Sequence, residues 1–372
     1  MAKRPGKAKK AGAIDGIPCR GTGRPGVHNQ KPTGGQDMRD PSIAGPVLHR
    51  RSLLGLAAAA IAGGSFNARA QAGYPSRTLT IIVPFAAGGA TDTLGRLMAQ
   101  QLSSQLGVGV IVENKPGAGG SIAAGALKQS EPDGHTLFLG TVSTHGINPT
   151  LYKALPYDAV KDFAPISRIA GVPNVLVVSP RRIKATTVAE LVAEGKARKE
   201  GLTFASSGNG TSVHLSGELF RSKTAITMTH VPYRGSGPAM ADLVGGAVDL
   251  MFDNLPSALP LIQSGTLRAL GVTSDERAPQ LPMVPTLREV GFPGMGGESW
   301  FALFALAGTP PAIIERLAGE ITDALARPAL NERFAAIGMT PRPLVGTALH
   351  AFIAEEIRLW GEVVRASGAS VQ

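Results

Sequence analysis

Sulfur chemistry is almost missing from this chain. Its one cysteine, Cys19, lies in a Lys-, Gly- and Pro-rich amino-terminal stretch, and none follows it. That excludes a disulfide, a zinc-thiolate site or a cysteine nucleophile from everything downstream. Catalytic signatures are missing too. There is no G-x-S-x-G elbow and no H-E-x-x-H pair, and the histidines at 135, 145, 214, 230 and 350 show no ligand spacing. His214 and Glu218 stand four apart on an expected helix, but two ligands without a third do not make a metal site. These absences point away from an enzyme and from any metal or cofactor.

Long apolar runs are also lacking. The longest early one, LLGLAAAAIA at 53–62, is too short to span a bilayer. It follows Arg50-Arg51 and precedes Ala68-Arg69-Ala70 and Ala70-Gln71-Ala72, the order of a bacterial export signal. Cleavage is expected after Ala72, with Ala70 as the alternative. The expected route is Sec or, on the paired arginines, the twin-arginine path. Residues 1–37 show no apolar period and read as disordered, and Met38 is the expected translation start. Residues 1–72 hold 12 Lys/Arg and 3 Asp/Glu of the chain's 37 and 27, which leaves 25 and 24 beyond Ala72. The formal charge of +10 thus falls to +1, and the basic character gives no support to a nucleic-acid partner or a membrane surface. No cysteine at the cut offers a lipid anchor, so the sequence predicts a periplasmic protein.

With 372 residues and 43% hydrophobic content, the chain has room for two domains with substantial cores. Strands are expected at 79–84, 109–113 and 136–142, alternating with helices at 92–106 and 120–130. This alternation implies a parallel sheet. The stretch 166–180 reads as a crossover into a second alternating block, with strands at 202–206, 226–231 and 248–252 and helices at 187–199, 212–222, 237–245 and 256–264. A strand at 267–274 returns the chain, followed by a Pro/Gly-rich link, the apolar run 299–308, and helices at 311–326, 329–337 and 347–366. The expected partition is an extension and signal at 1–72, one domain from 73–175 with 271–372, and a second from 176–270. A cleft between two such lobes is where sheets of this kind bind ligands.

The most informative stretch is TIIVPFAAGGATDTLGRLMAQQL at 80–102, which reads as strand, glycine turn and helix. Such a turn presents unpaired N–H groups and a helix's positive end to an anion. The candidate contacts are Phe85, Ala86, Ala87, Gly88, Gly89, Ala90, Thr91 and Asp92, with helix capping as the competing role for Thr91 and Asp92. No Lys or Arg lies between Thr80 and Gly95, so the grip is by amides and hydroxyls. The same grammar recurs at Ser206, Ser207, Gly208, Asn209, Gly210, Thr211 and Ser212, where five hydroxyl or amide side chains and two glycines fill seven positions. His214 in the following helix reads as a packed residue more readily than as a base. Two such loops facing across a cleft would pinch one carboxylate. The turn Thr141-Val142-Ser143-Thr144-His145, at another strand's carboxyl end, is a candidate wall of the cleft, with Ser143 and Thr144 its candidate contacts. VPYRGSGPAM (231–240) and MFDNLPSA (251–258) end two further strands in the same manner, and Asp253 is either a ligand acceptor or a helix cap. The glycine segment NKPGAGGSIAAG at 114–125 lacks the ending of a phosphate loop.

VPFAAGGATDTLGR, VENKPGAGGS, PDGHTLFLG, SSGNGTSVHLSGELF, HVPYRGSGPA, VDLMFDN and LPMVPTLREVGFPG occur in order from Tyr74 onward. Together they resemble Bug-type solute receptors, the periplasmic binding family of tripartite tricarboxylate transporters. The resemblance implies an α/β, two-lobed, type II-like binding protein with two parallel or mixed sheets and a central cleft. It also implies a small carboxylate pinched by residues 86–91 and 206–212, often with bridging waters. Asn209 stands where related chains often have glycine. The implied partners are a small organic acid and membrane transporter subunits, or a sensor protein, with the chain itself a monomer. The alternatives are a ligand sensor for a signalling partner, or a hydrolase or transferase on a similar scaffold.

Overall fold

The computed structural model of the protein describes residues 73–295 and 297–367. The expected extension, export signal and cleavage site at residues 1–72 lie outside the described residues. The first half begins β1 (Leu79–Val83), α1 (Ala90–Leu106), β2 (Val110–Asn114), α2 (Ser121–Lys128), β3 (Thr136–Thr141) and the short α3 (Asn148–Leu151). β4 (Phe163–Val178) leads into α4 (Val188–Ala197), β5 (Leu202–Ser206), α5 (Ser212–Thr224), β6 (Met228–Pro232), α6 (Ser236–Gly245), β7 (Leu250–Asn254), α7 (Leu255–Gln263) and β8 (Arg268–Val272). The chain closes with β9 (Glu298–Leu306), α8 (Pro311–Leu325), α9 (Pro328–Ala336), β10 (Thr340–Leu344) and α10 (Gly346–Ser367).

The strands form one curled sheet in the order β2-β1-β3-β9-β4-β7-β5-β6, with β8 and β10 also pairing β4. The β-α-β steps give parallel pairs, β1 with β2 and β3, and β5 with β6 and β7. The strands that join the halves are antiparallel. β4 pairs β9 from Phe163 to Pro173, then pairs β7 from Asn174 to Val178. The two lobes therefore share one strand, and the crossing point falls between Pro173 and Asn174.

Period-two alternation builds a core on both faces of each half. Leu79, Ile81 and Val83 of β1 face one cluster with Leu94 and Met98 of α1, whereas Ile82 faces the other with Phe138 and Trp300. In the second half, Leu176 and Val178 of β4 pack with Phe204 and Phe220, and Val175 and Val177 pack with Met251 and Leu255. The apolar run 299–308 is the buried strand β9. β10, sequence TPRPL, carries two prolines that argue against a strand. It exists because it pairs only β4, through a shifted register, and an edge strand tolerates missing donors.

Candidate functional site

Four helices begin at the cleft between the halves. α1 starts after Gly89, α5 after Thr211, α6 after Gly235 and α7 after Asn254. Each begins at the carboxyl end of a parallel strand, so four sets of first-turn N–H groups and four positive helix ends converge. The sequence marked the first two as anion seats and the other two only as strand ends of the same kind.

The cavity they enclose is walled on one side by Phe85, Gly89, Ala90 and Thr91, with Thr141, Val142 and Ser143 from the end of β3. Across from these stand Ser207, Thr211, Ser212, Ser236 and Asn254, with Ser299 and Phe301 of β9 as the floor. No charged side chain lines it. It holds about 20 Å³, enough for one water, because the halves are closed on each other. Ala86 N donates to the Arg234 carbonyl at 3.0 Å across the cleft. A Cβ on Gly89 would lie 3.3 Å from the Ser236 Cβ, and one on Gly88 3.6 Å from the Gly237 Cα.

A larger space of about 490 Å³ adjoins the first, sharing Phe85 and Ser207 with it. Pro116, Ile122, Tyr152, Pro232 and Tyr233 supply apolar and aromatic walls, with Gly208 and Asn209 between them, and Arg234 is the only charged residue lining it.

Of the residues expected from sequence, Phe85, Gly89, Ala90, Thr91, Ser143, Ser207, Thr211 and Ser212 line the small cavity, and Gly208 and Asn209 line the large one. The others stand behind these walls. Ala86 and Ala87 meet the 234–237 turn, as does Gly88. Asp92 is buried and accepts from Gly88 N (3.1 Å), Arg96 (3.1 Å) and Asn114 (3.0 Å). Burial pushes its carboxyl up, but the donors outweigh that and hold it below the usual range. The cap of α1 is Gly89 rather than Thr91 or Asp92. Thr144 is fully buried and its Oγ1 serves Thr141 N at 3.0 Å. Gly210 packs against Asn148 and Leu151. Asp253 is fully buried on β7 and accepts from Ser236 Oγ at 2.6 Å, so it braces a cavity residue, and the helix cap is its neighbour Asn254. Burial raises its pKa to about 6.

The second loop rests on two histidines. Ser206 Oγ lies 2.6 Å from His230 Nε2 and accepts from Gly208 N at 3.1 Å, while His214 Nδ1 accepts from Gly210 N at 3.3 Å. The two rings stack at 4.2 Å. Burial pushes His214 down to about 3 and His230 to about 4, which keeps both neutral near pH 7 and fits His214 as a packed residue. Among the described residues no group of three or more His, Cys, Asp or Glu could hold a metal ion. No described helix is long and apolar enough to cross a membrane.

Sequence reasoning missed Ser299 and Phe301, whereas Thr141 and Val142 belong to the expected wall turn at 141–145 and Ser236 and Asn254 lie in the strand-end segments 231–240 and 251–258. Nothing local marks Ser299 and Phe301, which reach the cavity only through the long-range pairing of β9.

The sequence profile described as "Tripartite tricarboxylate transporter family receptor" matches residues 94–369. Protein BugT of Bordetella pertussis is 41% identical over 300 residues, covering 80% of this chain and 92% of that protein. Among solved structures, R. palustris Rpa4515 with adipate is 36% identical at a TM-score of 0.77, covering 80% of this chain and 99% of its own. Periplasmic binding protein BugD is 32% identical at a TM-score of 0.77, with 80% and 100% covered. MatC from Rhodopseudomonas palustris with bound malate is 34% identical at 0.72, with 78% and 100% covered.

Proposed function

Because this chain belongs to the tripartite tricarboxylate transporter receptor family, whose members are periplasmic solute-binding proteins and not enzymes, we propose how its own cleft takes a ligand. One carboxylate of a small organic acid occupies the uncharged cavity, held by first-turn N–H groups of α1 and α5 and by the hydroxyls of Thr91, Ser207 and Ser212. The convergence of four helix N-termini on a cavity without a cation carries this reading. Charge-assisted hydrogen bonds contribute roughly 1.5–3 kcal/mol each, so a handful supports micromolar binding, about 8 kcal/mol. The rest of the acid extends into the larger space, past Tyr152 and Tyr233 toward Arg234. The adipate and malate seen in the related structures are acids of this kind.

The lobes are 73–175 with 271–372, and 176–270, a partition supported by where β4 changes partners. Export by the signal within residues 1–72, a monomeric state, and delivery of the acid to the membrane subunits of a tripartite transporter complete the proposal. Closure distinguishes a loaded receptor from an empty one, because a ligand shifts the lobes only through its differential affinity for the closed form.

Native mass spectrometry of the purified protein, followed by a thermal-shift panel of mono-, di- and tricarboxylates, amino acids and aromatic acids, tests it. A true ligand at one hundred times its Kd adds about 2.7 kcal/mol of stability. A panel in which no acid raises the midpoint would refute the carboxylate clamp, and turnover of a bound acid would refute a receptor.

A further inference from the structure

A buried chain of hydroxyls and amides runs from the cleft floor to the point where β4 crosses between the lobes. Ser212 Oγ lies 2.6 Å from Ser299 Oγ, which lies 3.2 Å from Asn174 Oδ1. Asn254 Nδ2 donates to both Asn174 Oδ1 (2.6 Å) and Ser299 Oγ (2.9 Å), and Asn174 Nδ2 donates to Ser216 Oγ (3.1 Å). Asn174 is the first residue of β4 to pair with β7, directly opposite Asn254, and it lines neither cavity.

Counting hydrogens leaves two arrangements. Both Asn254 amide hydrogens are committed, so the order depends on the single hydrogens of Ser299 and Ser212. In one arrangement Ser212 donates to Ser299 and Ser299 donates to Asn174, which leaves Ser212 presenting only lone pairs to the cleft. In the other, Ser299 donates to Ser212 and Ser212 donates into the cleft, at the cost of the Ser299 to Asn174 bond. An anion needs the second arrangement, because a carboxylate has no hydrogen to give.

Building on the carboxylate reading above, we infer that Asn174, acting through Ser299, is a positioning residue that sets which way the Ser212 hydroxyl faces, so that capture of an anion reverses a hydrogen-bonded chain reaching the interlobe crossing. Asn174 holds the Ser299 hydrogen in the empty protein, and the arriving carboxylate draws it back through Ser212. The hydroxyl floor thereby favours acceptors over ligands that present only donors, and one bond at the crossing strand is released on loading.

A double-mutant cycle between residues 174 and 212 tests this, with Kd for the best acid of the panel measured calorimetrically. Asn174→Ala removes the competing acceptor and is expected to tighten binding about two- to tenfold, the worth of one neutral hydrogen bond, while lowering the melting temperature. In a Ser212→Ala background, itself weaker in binding, the same substitution is expected to leave Kd unchanged. A merely structural role predicts no tightening. An unchanged or weaker Kd for Asn174→Ala, or an equal effect in both backgrounds, would overturn the inference and leave the clamp standing. A wild type that binds no carboxylate would overturn both.

Discussion

The two loops that face each other across the cleft share a grammar and differ in what braces them. The first, 84–89, is held by a charge: Asp92 gathers Gly88 N, Arg96 and Asn114 behind it. The second, 206–211, is held by neutral imidazoles, His230 against Ser206 and His214 against Gly210 N. Their helix starts differ in the same sense. Gly89 caps α1 with no side-chain bond, leaving the first-turn N–H groups bare, whereas Thr211 Oγ1 accepts from His214 N at 3.3 Å. An anion site can thus be framed either by a buried carboxylate paired with an exposed arginine and set back from the cavity, or by groups that carry no charge at all. In both loops the wall facing the cavity stays uncharged, so the charge of the proposed acid would be left for backbone dipoles to stabilise.

Glycine substitutions should break both loops, by different means. Gly89 has φ of −95°, which any residue adopts, but its position lies against Ser236. Gly89→Val should fold normally, fail to close, and lose the ligand-induced thermal shift entirely. Gly208 has φ of +131°, where a β-branched residue is strained by about 1–3 kcal/mol. Gly208→Val should lose the same shift and also melt lower. Paired melting curves with and without ligand read both effects, and normal binding by both variants would dismiss the two-loop clamp.

Acid should separate the braces. His214, depressed to about 3 by burial, contributes stability that is complete above its unfolded value near 6.5 and is lost as pH falls toward 3. His145, fully buried and likewise depressed to about 3, adds to the loss. Each costs roughly 1.4 kcal/mol per pH unit in that window. Asp253, raised to about 6, works the other way: its contribution is present below the unfolded carboxyl value and is lost as pH rises through 6. Asp92, held below the ordinary range, loses its contribution only as pH falls beneath about 3.8. Melting temperatures between pH 7 and 4.5 should therefore decline, and His214→Gln should flatten the decline. An unaltered slope in that variant would rule out the neutral-imidazole brace. At constant pH, Asp92→Ala leaves the Gly88 N–H and one hydrogen of the Asn114 amide without their acceptor, the other still bonding the Phe85 carbonyl. It should lower stability by about 1–3 kcal/mol and soften the first loop without removing any ligand contact.

Much of this arrangement was legible in the chain, for a physical reason. Strand, glycine turn and helix start are local patterns, so the loops at 84–92 and 206–212 and nearly every helix could be read from period and capping chemistry. Ser299, Phe301 and Asn174 could not. They reach the cleft and its crossing because β4 runs antiparallel to β9 and then to β7, pairings that join residues more than a hundred positions apart in the first case and about eighty in the second. Asp253 misled for a related reason. A carboxylate at a strand end resembles a ligand acceptor until the fold places Ser236 in front of it. β10 was hidden by its own prolines, which only an edge position permits.

The gentlest test concerns Thr211, where the loops differ by a single side chain. Its hydroxyl donates to the Gly208 carbonyl at 2.7 Å and accepts from His214 N, so it closes the second loop and caps α5 at once. Gly89 does neither for α1. Thr211→Ala should cost about 1 kcal/mol of stability, the usual worth of an N-cap, and weaken acid binding by a few fold because the second loop loses the bond that closes it. Thr211→Ser should restore both, since the hydroxyl and not the methyl makes these bonds. The reciprocal change, Gly89→Ser, gives the first loop a cap it lacks. Its Cβ would press on Ser236, so it should stabilise α1 in the open form and still impair closure, separating helix stability from ligand capture. Tighter binding by that variant would show that the bare N-terminus of α1 is not what the acid requires.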